Sequence, residues 1–158
     1  MLLDKGANAY TQGGIFGTVL QAAVYNGNIE IVQMVLDKRV DINLLGGIFG
    51  TPLQAAAYNG AIEVIRLLLE RGANVNLQGG IFGMPLQAAA YSGDIGVNLL
   101  LLDQGADANA RGGKYGATLK KMLSLNPESP DQNVPGDIPL LVELLQDHIP
   151  FLIRRTLT

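Results

Sequence analysis

Between Thr51 and Gly72 the chain carries two short runs whose apolar positions keep a helical period. In "TPLQAAAYNG" (Thr51–Gly60) a threonine able to cap a helix precedes Pro52. Pro52 suits a first helical turn, where its missing N–H would have no partner anyway. The Ala-rich stretch continues that helix with side chains small enough for close approach, and Asn59-Gly60 ends it. A second run, Ile62–Glu70, sets Ile62, Ile65, Leu68 and Leu69 at i, i+3, i+6 and i+7, one face of a helix. Gly72 supplies a left-handed stop. "ANVNLQGGIFG" then reads as extended chain that turns at its glycines. The predicted unit is helix, turn, helix, hairpin loop.

This unit recurs. Gly-Gly pairs begin at 13, 46, 79 and 112, each 33 residues from the last. Leu20, Leu53, Leu86 and Leu119 keep step with them, as do Gln21, Gln54 and Gln87, and Tyr25, Tyr58 and Tyr91. A fixed period of this size marks a solenoid, in which helices that cannot bury their apolar faces alone do so by stacking.

The residues "TPLQAAAYNGAIEVIRLLLERGANVN" (Thr51–Asn76) resemble the ankyrin repeat, with its T-P-L-H-x-A-A opening and its Leu-rich second helix ending in G-A-D-V-N. The resemblance covers Met1 to about Arg111. It implies an all-α solenoid, with a half repeat at 1–12, full repeats at 13–45, 46–78 and 79–111, a degenerate capping repeat at 112–149 with a loop at 126–137, and a tail at 150–158. Four departures stand out. Gln replaces the motif His, retaining a donor and an acceptor for the bonds that tie loop to helix. Gly46 and Phe49 replace the Asp and Gly of the hairpin motif, leaving its conformation open. Met84 replaces the capping Thr, and Arg39 stands where the stop glycine belongs. The last two each cost on the order of 1 kcal/mol if the backbone geometry is kept.

The chain opens partway through a second helix at Leu2-Leu3, which reads as an excerpt of a longer array or a truncated relative of one. The repeated "GGxxG…LQAA" is similar to ankyrin arrays of large fungal multidomain proteins, some with an NTP-hydrolysing regulatory domain. The resemblance thus implies, as an alternative role, a regulatory arm with an intramolecular partner domain; a self-associating array is a third. At the other end, "ATLKKM" departs from the small-residue motif, and "NPESPDQNVPGD" reads as a loop before a delayed second helix.

The composition narrows the rest. The net charge of −3 gives no general attraction to nucleic acid or to an anionic membrane. The basic pairs Lys120-Lys121 and Arg154-Arg155 read as solvated surface. With no Cys, thiolate metal sites and disulfides are excluded, and with no long apolar run or leader the expected location is the cytoplasm, with the nucleus as the alternative. Charged residues are only 16%, so the surface is expected to be poorly charged, which fits either a contact surface or a chain that is part of something larger.

Candidate chemistry is sparse. The one His, His148, falls near a predicted helix end, and Asp37, Glu70 and Asp103 are a single repeat position on the solvent side. "GGIFG" lacks the Lys-Ser/Thr of a phosphate loop. No enzyme activity, metal or cofactor is expected. What remains is protein binding. The resemblance implies contact through hairpin tips and the exposed face of the first helices, which gives Ile15, Phe16 and Tyr25, Ile48, Phe49 and Tyr58, and Ile81, Phe82 and Tyr91 as candidates on a concave face. The Phe rings have two readings, stacking between units or partner contact. Phe49 and Tyr58 are expected outside the helix–helix core.

Overall fold

The structure, a computed structural model, describes residues 12–108 and 110. Outside them lie the expected half repeat over 1–12 (its last residue apart), the degenerate unit 112–149 with its loop 126–137, and the tail 150–158, and with these His148 and both basic pairs.

The described chain begins with a two-strand hairpin, β1 (Gln12–Gly13) antiparallel to β2 (Gly17–Thr18). Six helices follow in three pairs: α1 (Val19–Tyr25) with α2 (Ile29–Leu36), α3 (Pro52–Asn59) with α4 (Ile62–Glu70), and α5 (Pro85–Ser92) with α6 (Ile95–Asp103). Between pairs the chain turns back on itself at Gly46 opposite Gly50 and at Gly79 opposite Gly83, each joined by a single antiparallel bridge. The all-α solenoid implied by the resemblance is the observed fold.

Local chemistry fixes the helix ends. Thr51 caps α3, its Oγ1 accepting from Gln54 N at 3.1 Å, and Pro52 occupies the first turn. Asn28 and Asp94 cap α2 and α6 by accepting from Ile31 N and Val97 N. Ala61, before α4, has no side chain able to do this.

The first helices pack side by side through alanines. Ala55, Ala56 and Ala57 of α3 and Ala88 and Ala89 of α5 are fully buried. Larger side chains there would force the helices apart and open the array. The second helices lie behind them. In α4, Ile65 and Leu68 are buried as the periodicity predicts, but Val64 and Leu67 are buried too, while Ile62 and Leu69 are half-buried. The buried stripe is wider than one face because α4 packs both on α3 and beside α2. One apolar core runs without interruption from Leu20 to Ala106.

Candidate functional site

The "GGIFG" hairpins at 46–50 and 79–83 are each held by three contacts with the preceding unit. The first is an amide clamp. Gln54 is fully buried; its Oε1 accepts from Thr51 N at 2.6 Å, and its Nε2 donates to Gly79 O at 2.9 Å and Gly83 O at 2.8 Å. Those two carbonyls belong to the glycines that face each other at the base of the next hairpin. Gln21 makes the same set with Thr18 N, Gly46 O and Gly50 O. The expected retention of loop-to-helix bonds by Gln is therefore met, and both amide hydrogens are used.

The second contact is a backbone ladder at the tips. Ile48 N donates to Ile15 O at 2.8 Å, and Ile81 N donates to Ile48 O at 2.9 Å. The third is direct backbone packing. A Cβ added at Gly50 would lie 2.5 Å from the backbone of Gly79 and Gly80 and from Gln54 Oε1. The glycines let consecutive hairpins stack in contact, a demand that a turn considered alone would not show.

This stacking decides the aromatic residues. The Phe and Tyr rings form one zigzag ladder. Phe16 meets Tyr25 with centroids 4.9 Å apart, Tyr25 meets Phe49 at 5.4 Å, and Phe49 meets Tyr58 at 5.3 Å. The series continues from Tyr58 to Phe82 at 5.2 Å and from Phe82 to Tyr91 at 5.3 Å. Phe49 and Phe82 are 3% and 2% exposed, so the expectation that Phe49 lies outside the core is corrected. Phe49 sits between Tyr25 and Tyr58, and Phe82 between Tyr58 and Tyr91, so each of these two rings is covered by tyrosines of two units. Tyr25, Tyr58 and Tyr91 are half-buried against the core, as is Phe16.

The isoleucines behave oppositely. Ile15 is 62% exposed, Ile48 41% and Ile81 37%. They form a row on the tips beside a groove of about 200 Å³ lined by Tyr25, Ile48, Phe49, Tyr58, Ile81 and Phe82, with Tyr91 at its far end. Of the nine candidates, the structure thus gathers seven around one groove, with Phe16 adjoining through Tyr25 and Ile15 extending the tip row. Leu45 was not singled out by the sequence. It is exposed and sits over Gly79, where the other units have Gln12 and Gln78. That departure from the repeat was the available signal.

The deciding comparison concerns the repeat as a whole: a family model for Ankyrin repeats (3 copies) matches residues 1–79 and 20–112. The chain belongs to the ankyrin-repeat family. Ankyrin repeats are in general protein–protein interaction modules, and proteins built from them are typically non-enzymatic scaffolds. No curated protein matches the chain significantly.

Within this ankyrin array the acidic repeat position stays on the surface. Asp37, Glu70 and Asp103 are exposed at the ends of second helices, and Asp37 lies 3.8 Å from Arg71. Among the described residues no three His, Cys, Asp or Glu side chains gather as a metal site would require. None of the described helices is long and apolar enough to cross a membrane.

Proposed function

We propose that this ankyrin array binds a partner protein through the groove beside its hairpin tips. Ile15, Ile48 and Ile81 and the edges of Tyr25, Tyr58 and Tyr91 make the contact, while Phe16, Phe49 and Phe82 back it. One observation carries the reading: three isoleucines recur at the repeat spacing, exposed, on a scaffold whose every other large apolar side chain but Leu45 is covered among the described residues. Exposed apolar rows of this kind are contact surfaces more often than accidents of a monomer. The backing ladder gives the row a rigid base, which lowers the entropy lost on binding.

The test is photo-cross-linking from position 48 in lysate of the source cell, with position 66 on α4 as the control. The reading expects a discrete cross-linked protein from position 48 only, and its loss in an Ile48→Ser/Ile81→Ser variant that melts like the parent. Equal cross-linking from both positions, or a partner indifferent to the double change, overturns it.

A further inference from the structure

We infer that the segment received by this groove is uncharged and aliphatic, held by apolar contact and not by ion pairing. The inference rests on the protein-binding reading above and names the chemistry of the partner.

The observation is a partition of charge. Residues 12–29, 42–62 and 72–93 contain no Asp, Glu, Lys, Arg or His. Each of these runs holds one hairpin and one first helix, and all the groove-lining residues fall inside them. The charges of the described chain sit on the second helices and their flanking turns, as with Glu30, Glu63, Arg66 and Glu70. The low overall charge is therefore a property of one face.

A charged partner side chain seated against Ile48, Tyr58 and Ile81 would lose water and meet no counter-charge among the described residues, which disfavours it. A cation held on an aromatic face is disfavoured for a second reason, since it needs an open ring face. Here Phe49 is engaged at once by Tyr25, Tyr58 and Phe82. Aliphatic side chains lose nothing polar by entering and cover exposed isoleucine. The tyrosine hydroxyls and the amides of the tips remain for a partner's neutral polar groups.

The test uses three fluorescein-labelled peptides of one length. One is composed of Leu, Ala, Gln and Ser; in the other two every Gln is replaced by Lys or by Glu. Binding is read by anisotropy, and location by the methyl signals of ¹³C-labelled isoleucine in the full chain. The neutral peptide is expected to bind tightest, to shift the Ile48 and Ile81 methyls, and to change affinity less than about twofold between about 50 and about 500 mM NaCl. Ile48→Ser/Ile81→Ser should weaken it about tenfold or more with unchanged circular dichroism. If a charged peptide binds tighter at the same methyls with strong salt dependence, the inference falls and the protein-binding reading stands. If no peptide moves those methyls, both fall.

Discussion

Arg39 is the one residue other than glycine that the described chain holds at positive φ, 57°, at the position where the other units have Gly72 and Gly105. A side chain in that conformation costs about 1–2 kcal/mol, and glycine gives back about 0.5–1 of this through its looser unfolded state. Arg39→Gly is therefore expected to stabilise the chain by about 0.5–1 kcal/mol, seen as a melting rise of about 1–4 °C. A fall in melting temperature would show that the Arg39 side chain does more than occupy the turn. Asn98 is a second local fault. It is fully buried in α6 at the position held by Ile65 in α4, and its Oδ1 has no hydrogen-bond partner. Its Nδ2 donates to Asp94 O, but that carbonyl also accepts from Asn98 N, so removing the side chain orphans nothing. Asn98→Val, the residue type at position 32 of α2, should stabilise by about 1–2 kcal/mol in urea unfolding, the desolvation cost of an unpaired carbonyl. The cost at Arg39 was legible in the sequence because a stop glycine is a local requirement. Asn98 was not, because its fault lies in what fails to surround it.

At the scale of the element, the hairpin has no stability of its own. A single bridge at Gly79–Gly83 is too little, and the Gln54 clamp, the tip ladder and the packed glycines all come from the preceding unit. Two glycines separate the effects. Gly50 and Gly72 have φ of 91° and 93°, but a Cβ at Gly72 would meet nothing within 4 Å, whereas at Gly50 it would strike the Gly79-Gly80 backbone. Gly72→Ala should cost about 1–2 kcal/mol, the conformational part alone. Gly50→Ala should cost about 2–5 kcal/mol, since overpacking adds about 1–3. Equal losses in the two melts would mean that the hairpins can move apart freely. The bounds of α4 and the Thr51-Pro52 start of α3 were legible because caps and periodicity act within one unit. The reason for "GGIFG" was not, because it is satisfied only between units.

For the whole molecule, repetition of letters does not mean repetition of energy. Phe16, Phe49 and Phe82 stand in identical pentapeptides, yet their surroundings differ with place in the stack. Phe49 meets three rings, Tyr25, Tyr58 and Phe82, and is 3% exposed. Among the described residues Phe16 meets Tyr25, and it is half-buried. In a solenoid each unit is stabilised by its own fold and by its nearest neighbours, so an interior ring counts in two interfaces. Phe49→Ala should therefore cost about 3–5 kcal/mol, the range for a buried phenylalanine, and lower helical content near the melting point. Phe16→Ala should cost about 1–2 kcal/mol, in proportion to the apolar area it covers. Both variants keep Ile48 and Ile81, so any loss of partner capture in Phe49→Ala should track unfolding and be recovered on cooling. The comparison is made by thermal and urea unfolding of the two single variants, with capture measured below the melting point of each. Equal costs would mean that the ladder is not cooperative. A Phe49→Ala chain that stays folded and yet fails to capture would move Phe49 from the backing of the groove to its contact surface.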